Sequence, residues 1–149
     1  MTAAFAAGFG VASPQETWDA LATAQDALLV DVRTRAEWAF VGSPDLEGAA
    51  GRMARIEWTT FPTMAPNPAF AEDVEAAVAA SGARTVYFMC RSGARSAAAA
   101  AAMSERFAAA GRDIACVNVA EGFEGDLGPD GKRGVVNGWK ARGLPWRQS

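Results

Sequence analysis

The sequence predicts an α/β fold in which a central, mainly parallel sheet of about five strands carries helices on both faces. Short apolar runs with few charges alternate along the chain with segments that carry helix start signals. Such apolar runs are typical of strands in a parallel sheet, because crossover helices bury both of their faces. The length of 149 residues fits one domain, so we expect a single unit over residues 1–149 with a core spanning about residues 10–146.

Three apolar runs predict the central strands of this sheet, at residues 28–32, 85–89 and 114–119. Each run is rich in β-branched or aromatic residues, which favour extended backbone. A weaker run at residues 55–58 predicts a fourth strand, and the stretch around Val11 predicts a short strand at an edge. Because strands and helices alternate, we expect neighbouring strands to run parallel.

Two capping boxes predict the first two helices. Ser13 is followed three residues later by Glu16, and Thr34 is followed at the same spacing by Glu37. In a capping box the hydroxyl accepts from the third helical N–H, and the carboxylate accepts from the N–H of the capping residue. A helix is therefore expected to begin after Ser13 and another after Thr34.

Two longer helices are predicted in the second half of the chain. Asn67 and Pro68 indicate the start of the third helix, and Gly82 is expected at its C-terminal end because glycine adopts left-handed backbone readily. The fourth helix is predicted to begin at Ser96 and to run through an alanine-rich stretch to about Gly111.

The remaining segments carry weaker signals. Residues 121–133 are rich in Gly, Asp and Pro, which predicts a surface loop. A short helix is expected at residues 135–141. Residues 41–66 contain Gly, Pro and two aromatic residues, and no periodic pattern assigns them to an element.

Histidine is absent from the sequence, which removes much of the usual catalytic repertoire. No Ser–His or Cys–His pair and no imidazole zinc site can form within this chain, and two cysteines are too few for a Cys₄ site. An enzyme built on this chain needs a nucleophile that something other than imidazole activates. We expect no metal and no cofactor.

Charge and hydropathy argue against nucleic-acid and membrane partners. The chain has 14 Lys and Arg against 17 Asp and Glu, a net charge of −3, and no long basic run. The alanine run at residues 97–102 is too short to span a bilayer, and residues 1–10 lack the basic start of a signal peptide. Two cysteines do not suggest a disulfide framework, so we expect a cytoplasmic protein with free thiols.

The segment with the strongest chemical signal begins at Cys90, between the strand at residues 85–89 and the alanine-rich helix. This position is the carboxyl end of a parallel strand, where open α/β sheets bind ligands. Loop amides can converge on an anion, the helix N-terminus adds partial positive charge, and two arginines add full charges. These features favour the thiolate of Cys90, and the same loop would bind an anionic substrate. The loop residues are Arg91, Ser92, Gly93, Ala94, Arg95 and Ser96.

Each cysteine also has a structural interpretation. A cysteine after an apolar strand is often a small core residue, and arginines in a loop are often simply solvated. The combined order of strand, cysteine, glycine between two arginines, and helix is much rarer by chance, so we interpret Cys90 as reactive. Cys116 lies within the predicted strand at residues 114–119 and is expected to be buried and inert; the alternative is a resolving thiol that pairs with Cys90.

Two carboxylates near the end of the first central strand are interpreted as structural. Asp31 is expected to bond the backbone or Arg33 rather than to act in catalysis. Glu37 is explained by its place in the capping box with Thr34.

Residues 90–96 resemble the active-site loop of single-domain rhodaneses, the thiosulfate sulfurtransferases. Residues 29–38 resemble the "DVR…EW" element of that family. Residues 118–123 resemble the strand and glycine turn that follow its active-site helix, and residues 137–146 resemble its closing element. The resemblance runs in order from about residue 10 to the C-terminus. It breaks at residues 42–48, where many members carry a His-Ile-Pro-Gly-Ala stretch.

The resemblance implies a double-displacement reaction at Cys90. The thiolate attacks the outer sulfur of thiosulfate or another sulfane donor and becomes a persulfide, and cyanide or a thiol then accepts the sulfur. Arg91 is expected to recognise the anionic donor, while Arg95 either shares that role or braces the loop through a carboxylate. Backbone N–H groups of residues 91–96 would hold the transferred sulfur or the donor oxygens. The implied partners are small sulfur donors and acceptors, with a protein acceptor left open.

Two other functions compete with this one. A protein-partnered persulfide carrier or a rhodanese-like binding module would use the same loop. A phosphatase or arsenate reductase has one more residue between its cysteine and its arginine. Four residues separate Cys90 from Arg95, and this smaller ring is tight for a tetrahedral phosphate.

Overall fold

The computed structural model describes residues 8–148; residues 1–7, which hold most of the N-terminal stretch discussed above, and residue 149 lie outside the described part. In chain order the elements are β1 (Gly10–Ala12), α1 (Pro14–Thr23), β2 (Ala27–Asp31), α2 (Arg35–Phe40), β3 (Ser43–Pro44), β4 (Arg52–Arg55), β5 (Thr59–Thr60), β6 (Ala65–Pro66), α3 (Phe70–Ser81), β7 (Thr85–Met89), α4 (Ala94–Ala109), β8 (Ala115–Val119) and β9 (Trp146–Arg147). Five strands form a parallel sheet in the order β1–β8–β7–β2–β4. The predicted α/β class is confirmed.

Helices and the C-terminal segment cover the two faces of this sheet. On one face α3 and α4 pack against alternate strand residues, among them Val30 and Phe88. On the other face α1 and the C-terminal residue Trp139 pack against Leu29 and Met89. Adjacent residues of β2 and β7 enter opposite cores because side chains alternate along a strand. The apolar runs are therefore strands buried on both faces.

Helix ends follow several of the sequence signals. Ser13 and Glu16 exchange both capping-box hydrogen bonds at the start of α1. Thr34 and Glu37 do the same at the start of α2. Gly82 ends α3 with a φ of +71°, the left-handed conformation that glycine adopts without strain.

The fourth predicted strand lies earlier in the chain than expected. The strand expected at residues 55–58 is β4, Arg52–Arg55, which pairs in parallel with residues 28–31 of β2. Its residues are exposed or half-buried and two are arginines, because β4 is an edge strand. A search for continuous apolar runs cannot place a strand of this kind.

The two longer helices also differ from their predicted bounds. Asn67 precedes α3 and accepts a hydrogen bond from the Ala69 N–H, so the helix begins at Phe70 rather than at Asn67. Gly93 caps α4 with a φ of +118°, which moves the helix start from Ser96 to Ala94. The helix ends at Ala109, two residues before Gly111.

The prediction of a short helix at residues 135–141 is wrong. The segment forms turns and bends, and Gly134 and Gly138 adopt φ values of +82° and +96°, which a right-handed helix does not contain. A β-carbon on Gly138 would lie 2.6 Å from the Gly125 nitrogen, so this close approach also requires glycine. Residues 121–133 form turns and bends, which confirms the predicted loop, but its first part is not at the surface, since Phe123 is fully buried.

Two short antiparallel pairs complete the described structure. The pair β3–β9 joins residues 43–44 to the C-terminal residues 146–147, and the pair β5–β6 forms a small hairpin within residues 59–66. Both lie wholly or partly in the segment 41–66 that the sequence left unassigned. Between residues 8 and 148 no helix combines the length and the apolarity needed to cross a membrane.

Candidate active site

Cys90 lies at the carboxyl end of β7, the middle strand of the sheet, with β8 on one side and β2 on the other. Its thiol is free, and the residue is only 1 % exposed. The chain turns from β7 into α4 within four residues because Gly93 caps the helix in left-handed backbone. The cysteine thus lies between a strand end and a helix N-terminus, as the sequence indicated.

Two hydrogen-bond donors face the sulfur. The Gly93 N–H donates to Cys90 Sγ at 3.1 Å, and the Ser96 hydroxyl lies 3.2 Å from the same atom. Together with the N-terminal dipole of α4, these donors are placed to stabilise negative charge on the sulfur. Among the described loop amides, only that of Gly93 reaches Sγ. The other loop residues, Arg91, Ser92 and Ala94, complete the turn without a hydrogen bond to the sulfur.

Asn118 of β8 positions Ser96. Its Oδ1 lies 2.6 Å from Ser96 Oγ, and its Nδ2 donates to the Gly93 carbonyl at 3.3 Å. A serine hydroxyl carries one proton, so Asn118 Oδ1, the Gly93 carbonyl oxygen at 3.2 Å and Cys90 Sγ compete for it. In the sequence, Asn118 is marked only by the resemblance of residues 118–123 to a strand and glycine turn. Its role depends on the register between β7 and β8, which sets Asn118 opposite Phe88, two residues before Cys90.

Arg95 is held by Glu37 of α2. Its two terminal nitrogens donate to the two Glu37 oxygens at 2.8 and 2.9 Å. Burial alone would raise the pKa of the Glu37 carboxyl, but the Arg95 guanidinium and the Thr34 N–H and hydroxyl outweigh burial and lower the pKa to about 2. The same bonds raise the pKa of Arg95. Arg95 therefore joins α4 to α2 through a carboxylate, which is the contact that a bracing role requires, while a share in donor binding stays a prediction.

Arg91 has a different environment. Its carbonyl accepts the N–H groups of Glu124 and Gly125, both at 3.0 Å, which fixes the loop backbone. Its side chain is exposed, and within the described residues it makes no hydrogen bond or ion pair. The guanidinium of Arg91 is therefore the free cation of the loop.

The turn after β8 packs directly against the Cys90 peptide. Gly122 has a φ of +65°, and a β-carbon on it would lie 2.5 Å from the Cys90 carbonyl oxygen. The next N–H, that of Phe123, donates to this oxygen at 2.8 Å. No local signal in the sequence marks Gly122 or Phe123 as a contact of Cys90.

A buried ion pair lies behind the site. Arg33 donates to both Asp31 oxygens at 2.9 and 2.7 Å and to the Gly42 carbonyl at 2.8 Å. Its guanidinium stacks on the Phe123 ring, 4.3 Å from the centroid. Both charged side chains are fully buried. The structural role expected for Asp31 is the one observed.

Cys116 is remote from this chemistry. It lies on β8 opposite Val86, four residues before Cys90 along the neighbouring strand. Its thiol is free and buried, and burial raises its pKa to about 12. No disulfide joins it to Cys90, so the structure supports the inert interpretation.

Comparison with known proteins places the chain among relatives. The model of the rhodanese-like domain family matches residues 13–126. The chain belongs to the rhodanese-like domain family.

Individual relatives agree with this assignment. An uncharacterised RP600 homologue of Rickettsia rickettsii and the uncharacterised RC0915 of Rickettsia conorii are each 32% identical over 132 residues, which cover 89% of this chain and 92% of theirs. The crystal structure of Rv0390 from M. tuberculosis is similar, with a TM-score of 0.75 and 39% identity over 94% of this chain and all of that one.

An open cleft adjoins the active-site loop of this rhodanese-like domain. Its volume is about 670 Å³, and Arg91 and Arg95 line it on the loop side. Helix α2, the β5–β6 hairpin and the loop at residues 121–133 form its other walls. Cys90 itself is buried and does not line the cleft.

Proposed function

We propose that this rhodanese-like domain is a sulfurtransferase that carries a sulfane sulfur as a persulfide on Cys90. Membership of the family supports sulfur-transfer chemistry in general. The observation that carries the specific proposal is the environment of Cys90 Sγ, which accepts from Gly93 and faces the Ser96 hydroxyl at the start of α4. Donors placed in this way would stabilise an anionic sulfur nucleophile without histidine.

In the first half-reaction the donor is thiosulfate or a similar sulfane compound. The Cys90 thiolate attacks the outer sulfur, a new sulfur–sulfur bond forms to Sγ, and the old one breaks so that sulfite leaves with its electron pair. The persulfide keeps the negative charge of the thiolate, so no proton has to move. Gly93 N–H and the Ser96 hydroxyl, placed beside Sγ, stabilise that charge before and after the step.

Arg91 is proposed to recognise the donor. Its guanidinium is unpaired among the described residues and lines the cleft beside the loop. Arg95 keeps its charge close to the site, but Glu37 already takes both of its terminal nitrogens. Binding of a dianionic donor therefore falls mainly to Arg91 and to the N-terminal dipole of α4.

In the second half-reaction a thiophilic acceptor, such as cyanide or a small thiol, attacks the outer persulfide sulfur. The bond to Sγ breaks, and its electron pair restores the Cys90 thiolate. Because both cysteines are free and a reactive thiol persists in a reducing compartment, we also propose the cytoplasm as the place of action.

Phosphoryl transfer is less well supported by the same site. A phosphatase of this kind needs its arginine to hold phosphate oxygens in a fork. Here Glu37 accepts hydrogen bonds from both terminal nitrogens of Arg95, which leaves neither free to hold phosphate. The loop from Cys90 to Arg95 is also one residue shorter than the corresponding loop of a phosphatase.

The proposal is tested by incubating the protein with thiosulfate and measuring its mass. We expect an increase of one sulfur atom, located on Cys90 by peptide mapping and removed by cyanide as thiocyanate. Sulfur uptake by Cys90→Ser would contradict the mechanism. A loaded protein that turns over thiosulfate slowly but passes its sulfur rapidly to a partner thiol would identify a persulfide carrier instead.

A further inference from the structure

The cleft beside the active-site loop gathers exposed apolar side chains. Phe40 is 84 % exposed, Phe61 63 %, Leu127 58 % and Met64 42 %, and all four line this one cleft. A cluster of exposed aromatic and aliphatic side chains around a concave surface marks a binding site more often than exposed apolar residues that are scattered singly over a surface.

These four side chains come from three separate parts of the chain. Phe40 ends α2, Phe61 and Met64 lie in the turn between β5 and β6, and Leu127 lies in the loop at residues 121–133. They surround the cleft rather than form one flat patch. A ligand that contacts all of them must cross the cleft, which an extended peptide does and a compact anion such as thiosulfate does not.

The charges of the cleft favour an acidic ligand. Arg91, Arg95 and Arg133 line it, against Glu37 and Glu124. Glu37 and Arg95 neutralise each other, and Arg133 uses one nitrogen on the Gly125 carbonyl at 2.6 Å. Two arginines then face one glutamate, so carboxylates on a ligand find complementary charge.

The depth of the sulfur limits what can reach it. Cys90 is only 1 % exposed, so an acceptor must present a slender reactive group while the rest of it stays in the cleft. A cysteine side chain has this shape. The volume of about 670 Å³ lies within the range of roughly 300–1,000 Å³ that holds ligands much larger than the sulfur donor.

We propose that the sulfur acceptor is a cysteine on a protein segment whose flanking residues are apolar and acidic, and that this segment binds in the cleft between Phe40, Phe61 and Leu127. The inference rests on the proposed function and names its acceptor class. The acceptor sulfur bonds to the outer persulfide sulfur, and the bond to Cys90 Sγ breaks with its electron pair. The proton of the acceptor thiol passes to the product persulfide, so the Cys90 thiolate is regenerated without a further reactant.

The experiment uses the full chain, loaded with thiosulfate and freed of excess donor. Three synthetic peptides are compared at equal concentration: a cysteine flanked by leucines and aspartates, the same peptide with serines for leucines, and the same peptide with lysines for aspartates. We expect the first peptide to remove the sulfur about tenfold faster than either of the others, a factor typical of one lost apolar or ionic contact. Equal rates for the three peptides would overturn the proposal.

Matched variants locate the binding surface. For each variant we compare the rate at which the peptide removes the sulfur with the rate at which cyanide removes it. Phe61→Ser should lower the ratio of these two rates by about tenfold. Phe9→Ser also removes an exposed phenylalanine, but one that does not line the cleft, and should leave the ratio unchanged. An unchanged ratio in Phe61→Ser would contradict the proposal that a peptide binds in the cleft. A dimer of this chain that Phe61→Ser dissociates would contradict it as well.

Binding without transfer separates this inference from the proposed function. If thiosulfate fails to load Cys90, the sulfurtransferase proposal fails, but the peptide with serine for cysteine still reports docking by fluorescence anisotropy. We expect the wild-type protein to bind this peptide and Phe61→Ser to bind it about tenfold more weakly. Equal binding by both proteins would refute the docking surface even if the persulfide forms.

Discussion

Arg95 and Glu37 join the starts of two helices through a pair of hydrogen bonds at 2.8 and 2.9 Å. Glu37 also closes the capping box of α2 on Thr34, so one carboxylate serves the N-terminus of α2 and the first turn of α4. The loop that holds Cys90 is thereby anchored to an element 58 residues away in sequence. Removing this carboxylate should loosen the loop as well as the helix.

Glu37→Gln should lower stability in a pH-dependent way. The pKa of Glu37 is lowered from 4.5 to about 2, so its carboxylate stabilises the fold above about pH 4.5 and this contribution is lost as the pH falls towards 2. We expect a loss of about 1–2 kcal/mol near neutral pH that shrinks below pH 4.5, measured by urea unfolding across the pH range. Glu75→Gln, which breaks the more exposed pair with Arg106, serves as the control and should cost less. A loss independent of pH would contradict this account.

Ser96→Ala should slow persulfide formation. The variant removes a hydroxyl 3.2 Å from Cys90 Sγ and leaves the Gly93 N–H as the remaining donor. A hydrogen bond to a charged group is worth about 1.5–3 kcal/mol, so the rate of sulfur loading from thiosulfate should fall by at least about tenfold. The rate of sulfite release in a single turnover measures the rate of sulfur loading. Ser104→Ala removes another buried serine of α4 that does not contact the sulfur, and an equal effect there would argue against the assignment.

Gly122→Ala should destabilise the protein and disturb the site. A β-carbon would lie 2.5 Å from the Cys90 carbonyl oxygen, on backbone with a φ of +65°. Gly111→Ala provides the matched control, since Gly111 has a φ of +69° but no atom within 4 Å of the added carbon. Left-handed backbone costs alanine about 1–2 kcal/mol at both positions, and we expect Gly122→Ala to cost about 2 kcal/mol more. Thermal and urea unfolding measure the difference in stability between the two variants. Equal losses of stability would mean that the turn at Gly122 shifts away from Cys90 without cost.

Removing one partner of the buried Asp31–Arg33 pair should lower the free energy of unfolding more than removing both charges does. Arg33→Met leaves the fully buried Asp31 carboxylate without its partner, a loss of about 3–5 kcal/mol. The double variant Asp31→Asn with Arg33→Met removes both charges and should recover part of that loss. Urea unfolding of the single and double variants measures the coupling. Additive losses would show that the two side chains act independently.

Cys116→Ala should leave sulfur transfer intact. Burial raises the pKa of this thiol to about 12, so it stays protonated and unreactive at neutral pH. The variant should take up one sulfur per chain at the wild-type rate and lose about 1 kcal/mol of stability from the small cavity. Peptide mapping that finds the sulfur on Cys116 in the wild-type protein would contradict the inert role.

The central sheet was predictable because its inner strands are continuous apolar runs. β2, β7 and β8 lie within one residue of the predicted bounds. The edge strand β4 was misplaced because arginines and partial exposure remove the apolar signal. The helix expected at residues 135–141 failed because Gly134 and Gly138 adopt backbone that only the folded context selects.

The site was predictable only where its residues are neighbours in sequence. The loop from Cys90 to Ser96 combines strand, glycine and helix signals in one stretch. Asn118 and Gly122 reach the loop through strand register and turn packing, which a single sequence does not record. The pairing of Arg95 with Glu37 was an open alternative that required the relative placement of α2 and α4.

The burial of Trp139 links the tail of the chain to the loop that holds Cys90. The Trp139 N–H donates to the Gly122 carbonyl, and the Phe123 N–H donates to the Cys90 carbonyl, so a short ladder of backbone bonds runs from the tail to the loop. This ladder extends past residue 126, where the family match ends. We therefore expect the tail and the loop to unfold together, so that their amides exchange hydrogen at similar rates. Proteolytic removal of the tail should loosen the backbone around Cys90 without cutting it.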